Sequence, residues 1–172
     1  MSSSKPFGIR GFYPPKKQGV PCYFTQRIGL QYANEKDVID KFGILYKWKL
    51  LIPKSPIAGQ TDFTKPVGFY YDGNVRIAKP GECCTETYIV AAALDSEQEV
   101  LSFKSYLFTK FVRFLLLQMV ISQDVTKRCF GFIPDIEKYE GIYTDKQLCE
   151  LWKITEDEWE YIDSRINNIK GK

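Results

Sequence analysis

Side-chain catalysis needs a base, a nucleophile or a metal set, and the 172-residue sequence offers little of each. It has no histidine, so no Ser-His or Cys-His pair and no imidazole base can form. The five cysteines, Cys22, Cys83, Cys84, Cys129 and Cys149, are odd in number and irregularly spaced. Without a Cys-x-x-Cys pair or histidine they read as free thiols of a reducing compartment, not as a zinc site. Gly8 and Gly11 lack both the preceding strand and the spacing of a nucleotide-binding loop. Pro134-Asp135 with Glu137-Lys138 has the residue types of a magnesium-dependent nuclease, but there the second acid and its lysine lie well downstream on a separate strand. No catalytic residue, metal or cofactor is therefore expected in this chain.

Recognition chemistry is better supplied. Residues 1–60 carry ten Lys/Arg against three Asp/Glu, a local balance of +7; residues 61–130 balance at zero, and residues 131–172 stand at −4. The total of +3 hides this polarity, which suggests a polyanionic partner for the first third. Lysine and arginine gain affinity from phosphates, while glutamine, serine and threonine in loops can read base edges. The run Gln123-Asp124-Val125-Thr126-Lys127-Arg128 combines these types in one place, with a glutamine, a threonine and two adjacent cations.

Elements must hold such residues. Ahead of that run, Cys84 to Val90 alternates polar and β-favouring residues, as a strand entering a core does. Ser96 with Glu99 forms a capping box. From there Val100, Phe103, Leu107, Phe111, Phe114 and Leu115 repeat at helical spacing and predict one long buried helix. Lys104, Lys110 and Arg113 interrupt it too often for a membrane span. Cys129 to Pro134 is read as a second strand, which leaves Gln123–Arg128 as a basic loop at the helix exit.

Earlier in the chain, Val20 to Gln31 is read as a strand and Glu35 to Phe42 as a short helix begun by Asn34. Ile44 to Ile52 alternates into a strand with Lys47 and Lys49 opposite Trp48, and Pro53 stops it. Lys54 to Thr61 is a loop of turn formers, and Phe69 to Val75 predicts a hairpin about Asp72-Gly73. Thr144 with Gln147, and Thr155 with Glu158, are two further capping boxes. They open short acidic helices carrying Leu148, Leu151 and Trp152, then Trp159, Ile162 and Ile166.

A hydrophobic share of 44% and an aromatic share of 15% suit one proper core. A single domain over residues 1–172 is expected, with a main α+β body at 1–134 and an acidic helical tail at 135–172 packed on it. No apolar leader follows Met1, and a cytoplasmic protein is expected.

Five segments, taken in order, resemble a known family. They are Lys5 to Arg10, Tyr46 to Ile52, Cys84 to Val90, Ser122 to Arg128, and Phe132-Ile133-Pro134. Together they resemble the C-terminal target-recognition domain of restriction-modification adenine methyltransferases, closest to the TaqI-like specificity regions of type II enzymes that join methylation to restriction. The tail of two acidic helices with Trp152 and Trp159 is similar to how such proteins end. The resemblance implies an α+β fold, a curved and mostly antiparallel sheet packed on a long buried helix with short C-terminal helices, whose loops face the DNA major groove. It implies double-stranded DNA as partner, together with a methyltransferase catalytic domain in cis or trans. That domain would bind S-adenosylmethionine and flip the adenine through an Asn-Pro-Pro motif. The chain lacks that motif, since a tyrosine precedes Pro14-Pro15, so it would read sequence and do no chemistry alone.

Motif by motif, the residues placed toward DNA are Lys5, Arg10, Lys16 and Lys17 in the basic N-terminal run, and Lys47 and Lys49 in their strand. Lys54, Ser55 and Gln60 follow in the next loop, then Gln123, Thr126, Lys127 and Arg128 at the helix exit. Thr85 and Thr87 would be hydroxyls on the exposed side of their strand. The rival from another class is a protein-protein interaction module whose basic surface is incidental.

Overall fold

A computed structural model describes residues 5–169. The protein is of the α+β type, with two small three-stranded, antiparallel-rich sheets and five α-helices among the described residues. Two compact units divide it: one runs to Lys54 and resumes over Asn74–Val100, and the other takes Ser55–Gly73 and the chain from Leu101 onward.

In the first unit β1 (Val20–Tyr23) and β2 (Leu30–Ala33) form an antiparallel hairpin, with Val20 opposite Ala33 and Tyr23 opposite Leu30. The expected single strand over 20–31 is thus folded back on itself. Its turn is closed by Gly29, at φ +75°, whose N–H donates to Thr25 O at 2.8 Å while Phe24 N donates to Gly29 O at 2.9 Å. Gly19 is required at the hairpin's foot, because a Cβ there would stand 2.2 Å from Ala33 O. The expected helix over 35–42 shrinks to a 3₁₀ turn at Glu35–Asp37. Ile39 N instead donates to Phe7 O, and Asp40 takes the amides of Ile44 and Leu45 at 3.0 and 2.8 Å. Local side-chain acceptors of this kind compete with helix hydrogen bonds.

The expected strand Cys84–Val90 is two strands in two sheets. Short β5 (Cys83–Cys84) pairs parallel to β1, giving the order β2-β1-β5, whereas β6 (Tyr88–Leu94) is antiparallel to β3 (Trp48–Pro53). The second sheet is completed by β4 (Arg76–Ala78) on the other edge of β3. A register shift lies between Leu50 and Leu51, and Leu50, Leu51 and Ile52 are all buried, as in a strand covered on both faces. Between β5 and β6, Thr85 is buried and its Oγ1 lies 2.7 Å from Thr87 Oγ1. The expectation that Thr85 lies on the exposed side is corrected accordingly. Phe7, Ile9, Phe24, Leu51 and Val90 pack with Cys22, Cys83 and Cys84 to form this unit's core. All five cysteines are free thiols.

Helix α1 (Glu97–Phe108) starts at its capping box, where Ser96 N donates to Glu99 Oε2 at 2.9 Å and Glu99 N to Ser96 Oγ at 3.2 Å. The predicted long helix breaks at Thr109. That residue is extended (φ −62°, ψ 151°), and its hydroxyl accepts from Val112 N at 3.2 Å to cap α2 (Lys110–Met119). Helix α4 (Asp145–Trp152) and helix α5 (Glu156–Arg165) begin at the two expected boxes, Thr144/Gln147 and Thr155/Glu158. The predicted hairpin over 69–75 has no strands; Tyr71 turns inward and stacks on Phe108 at 5.5 Å.

Buried Arg113 fastens the end of the second unit. Its Nε donates to Phe108 O and Thr109 O, and Nη1 donates to Asn167 O at 2.6 Å, while burial lowers its pKa to about 10. Among the described residues no helix is long and apolar enough to cross a membrane.

Candidate nucleic-acid interface

The helix-exit run is built from two buried plugs with exposed residues between and before them. Val125 and Cys129 are buried, whereas Gln123, Thr126, Lys127 and Arg128 are exposed. The expected strand at 129–134 is replaced by a one-turn helix, α3 (Lys127–Phe130), entered from extended Thr126. The Cys129 thiol accepts from Thr126 N at 3.4 Å and donates to Met119 O at 3.5 Å, tying the turn to the end of α2. Ser122 Oγ accepts from Asp124 N at 3.3 Å. Lys127 and Arg128 therefore project from a turn held at both ends, and neither forms an ion pair among the described residues. Gln123 likewise makes no side-chain hydrogen bond among them.

Ser55 and Gln60 belong to the same unit. Ser55 Oγ donates to Asp124 Oδ1, which joins the loop after β3 to the helix-exit run. That loop is seated by buried Pro56 and Ile57. Gln60 turns back on its own loop, donating from Nε2 to Asp62 O at 2.7 Å. The Asp62 carboxyl is held below its usual range by the hydroxyl and amide of Thr64.

The remaining candidates lie in the first unit and fare unevenly. Lys17 is exposed and Lys5 is half-buried. Arg10 pairs with Glu86 at 3.4 Å, and the same carboxylate accepts from Gly11 N at 3.1 Å. Lys16 sits over the Tyr13 ring at 5.6 Å, and its own N–H donates to Tyr32 O at 2.9 Å. Lys47 is ion-paired with Asp95. Half-buried Lys54 donates its amide to Thr87 O at 3.1 Å.

Lys49 corrects the expectation outright. It is 0% exposed, and its ammonium donates to Leu45 O, Lys47 O and Lys79 O at 2.7, 2.6 and 3.1 Å. All three of its N–H bonds are used inside the protein, so it cannot meet a phosphate. Burial lowers its pKa to about 8, against the opposite pull of Cys84, Glu82, Cys83 and Asp40.

Two residues of suitable chemistry escape the sequence reading. Gln26 and Arg27 are exposed in the turn of the β1–β2 hairpin, a position invisible while 20–31 is read as one strand. Thr25, Gln26 and Arg27 before Gly29 form a polar, glycine-closed cluster, which is the signal for a turn there.

The site thus offers hydrogen-bonding and cationic groups on a fixed turn. Groups of three or more His, Cys, Asp or Glu side chains able to hold a metal ion are absent among the described residues. No family model matches the chain, and neither a curated protein nor a solved structure matches it.

Proposed function

We propose that the chain reads double-stranded DNA sequence, as the specificity domain of a restriction-modification adenine methyltransferase whose catalytic domain is supplied in cis or in trans. In this reading the two sheets and the helices form a methylase specificity-like scaffold that presents its loops to the major groove. S-adenosylmethionine and the flipped adenine belong to the catalytic partner. The observation that carries the reading is the helix-exit run: Gln123, Lys127 and Arg128 are exposed and unpartnered among the described residues on a segment pinned by Val125 and Cys129. An adjacent pair of cations suits phosphates, and a free amide suits the donor-acceptor edge of adenine. The order of the five resembling segments supports the same conclusion.

The test is fluorescence anisotropy with cognate and unrelated duplexes at two salt concentrations. Lys127→Ala weakens binding to every duplex and lowers the salt slope by about one charge equivalent. Gln123→Ala narrows the gap between cognate and unrelated DNA by about 1 to 3 kcal/mol. Equal weakening of both duplexes by Gln123→Ala, with an unchanged melting temperature, overturns the base-reading role. Salt-independent binding, or none, overturns the DNA reading itself.

A further inference from the structure

Chemistry of the opposite kind is found in the loop between α3 and α4. Aromatic packing sets this loop: Tyr106 OH donates to Pro134 O at 2.7 Å, and Tyr139 stands edge-on to Phe103 at 4.9 Å. Tyr143 meets the Tyr106 ring at 5.6 Å, and its N–H donates to Ser105 Oγ at 2.9 Å. Asp135 is committed to the loop itself, accepting from Glu137 N at 2.9 Å and Tyr139 OH at 3.2 Å. Glu137 behaves otherwise. Its backbone is left-handed at φ 59°, a conformation unfavourable for a non-glycine residue and retained where the surroundings impose it. Its side chain is exposed and its carboxylate has no partner among the described residues.

Beside this loop lies an open cavity of about 410 Å³, whose lining includes Asp135, Glu137, Lys138, Tyr143, Leu151 and Trp152. That volume falls within the range of small-ligand sites, about 300 to 1,000 Å³. Leu151 is 56% exposed and Trp152 is 39% exposed, so α4 leaves two apolar side chains partly open to solvent. The only lining cation, Lys138, is paired with Glu140 at 2.6 Å. An indole surface and an unpaired carboxylate on one cavity select a cation. The cation is planar, since guanidinium can stack on an indole and offer two parallel N–H bonds to a carboxylate, as an ammonium cannot. A quaternary ammonium calls for aromatic rings on several sides, whereas Trp152 and Tyr143 are the only aromatic residues lining this cavity, and the Tyr143 hydroxyl is held by Glu140 N and Lys138 O at 3.3 and 3.4 Å.

We propose that this cavity takes an arginine side chain of a partner protein, its guanidinium stacked on Trp152 and paired with the Glu137 carboxylate. The site goes beyond the DNA reading and is independent of it, because none of its residues belongs to the helix-exit run.

The test is an NMR titration of the intact chain with N-acetyl-arginine-N′-methylamide, following the Trp152 indole N–H. The lysine and trimethyl-lysine analogues run in parallel. Arginine gives a saturable shift, and the lysine and trimethyl-lysine compounds bind about fivefold more weakly or worse. Glu137→Gln weakens the arginine compound about fivefold; followed at the Glu137 backbone N–H, which the Trp152 variants retain, Trp152→Leu removes saturation and Trp152→Phe keeps part of it. Glu137→Gln removes one exposed charge and keeps the side chain's size, so it remains informative if Trp152→Leu fails to fold. Equal binding of the three compounds, an unaltered affinity in Glu137→Gln, or no saturable shift overturns the proposal. DNA affinity measured on Glu137→Gln stays at the wild-type value, so failure here and failure of DNA binding are read separately.

Discussion

Lys49→Met, compared with the unaltered chain across pH, tests how the buried ammonium is held. An unfolded lysine titrates near pH 10.4, whereas Lys49 in the folded chain is lowered to about 8 by burial. Between these values the unfolded chain binds more protons than the folded one, so the contribution of this residue to stability rises with pH. The full shift corresponds to about 2.5 kcal/mol gained between pH 7 and pH 10. Local relaxation around the buried charge reduces this, and the expected gain is about 1 to 2 kcal/mol.

Losing the proton leaves few groups stranded, because Leu45 O still accepts from Gly81 N at 2.9 Å and Lys79 O from Glu82 N at 3.0 Å. Urea unfolding at pH 7, 8, 9 and 10 measures both proteins, and the quantity of interest is the difference between them. A group whose pKa is raised by burial and that has no coupling to Lys49, such as Tyr23 at about 12, loses stability as pH rises in both proteins and largely cancels in that difference. A difference that stays flat from pH 7 to 10 refutes the reasoning. It would mean that three carbonyls solvate the ammonium as well as water does.

Two smaller perturbations test the second unit. Thr144→Ala removes the hydroxyl that accepts from Gln147 N at 3.3 Å and costs about 1 kcal/mol, read as a lower urea midpoint; an unchanged midpoint means that α4 is held by its packing alone. Ser55→Ala deletes the donor to Asp124, costs about 1 kcal/mol, and speeds amide exchange at Asp124, Val125 and Thr126. Unaltered exchange there shows that the run is fixed without its neighbouring loop.

What the sequence made legible was local. The capping boxes at Ser96, Thr144 and Thr155 were readable because donor and acceptor stand three residues apart. The α+β class, which the resemblance implied, is the class observed. The break at Thr109 was hidden inside an apolar repeat that continues in phase on both sides of it, though a lone threonine before a lysine was its trace. Lys49 was misread because alternation with Lys47 describes only the strand, while the acceptor at Lys79 lies 30 residues away. The division of Cys84–Val90 between two sheets was equally out of reach, since the partners that separate its halves, Tyr23 and Pro53, lie far upstream. At the candidate interface the residue types were legible but their availability was not. Whether a cation faces water, a carboxylate or a carbonyl depends on chain segments distant in sequence.

The two pairings of β1 differ in how far the chain must travel to make them. Tyr23 meets Leu30 across a short turn, but Cys22 meets Cys83 only after a loop of about sixty residues has closed, an entropic cost that grows with loop length and delays such contacts. Strand β5 is two residues long, so little binds it before its neighbours are in place. The order of folding therefore decides when Cys22, Cys83 and Cys84 disappear from solvent. In the finished protein all three are buried, but in a chain still folding they are reachable until the last sheet edge docks. Oxidative damage to these thiols is thus a hazard of biosynthesis and refolding, and one that the native state no longer carries.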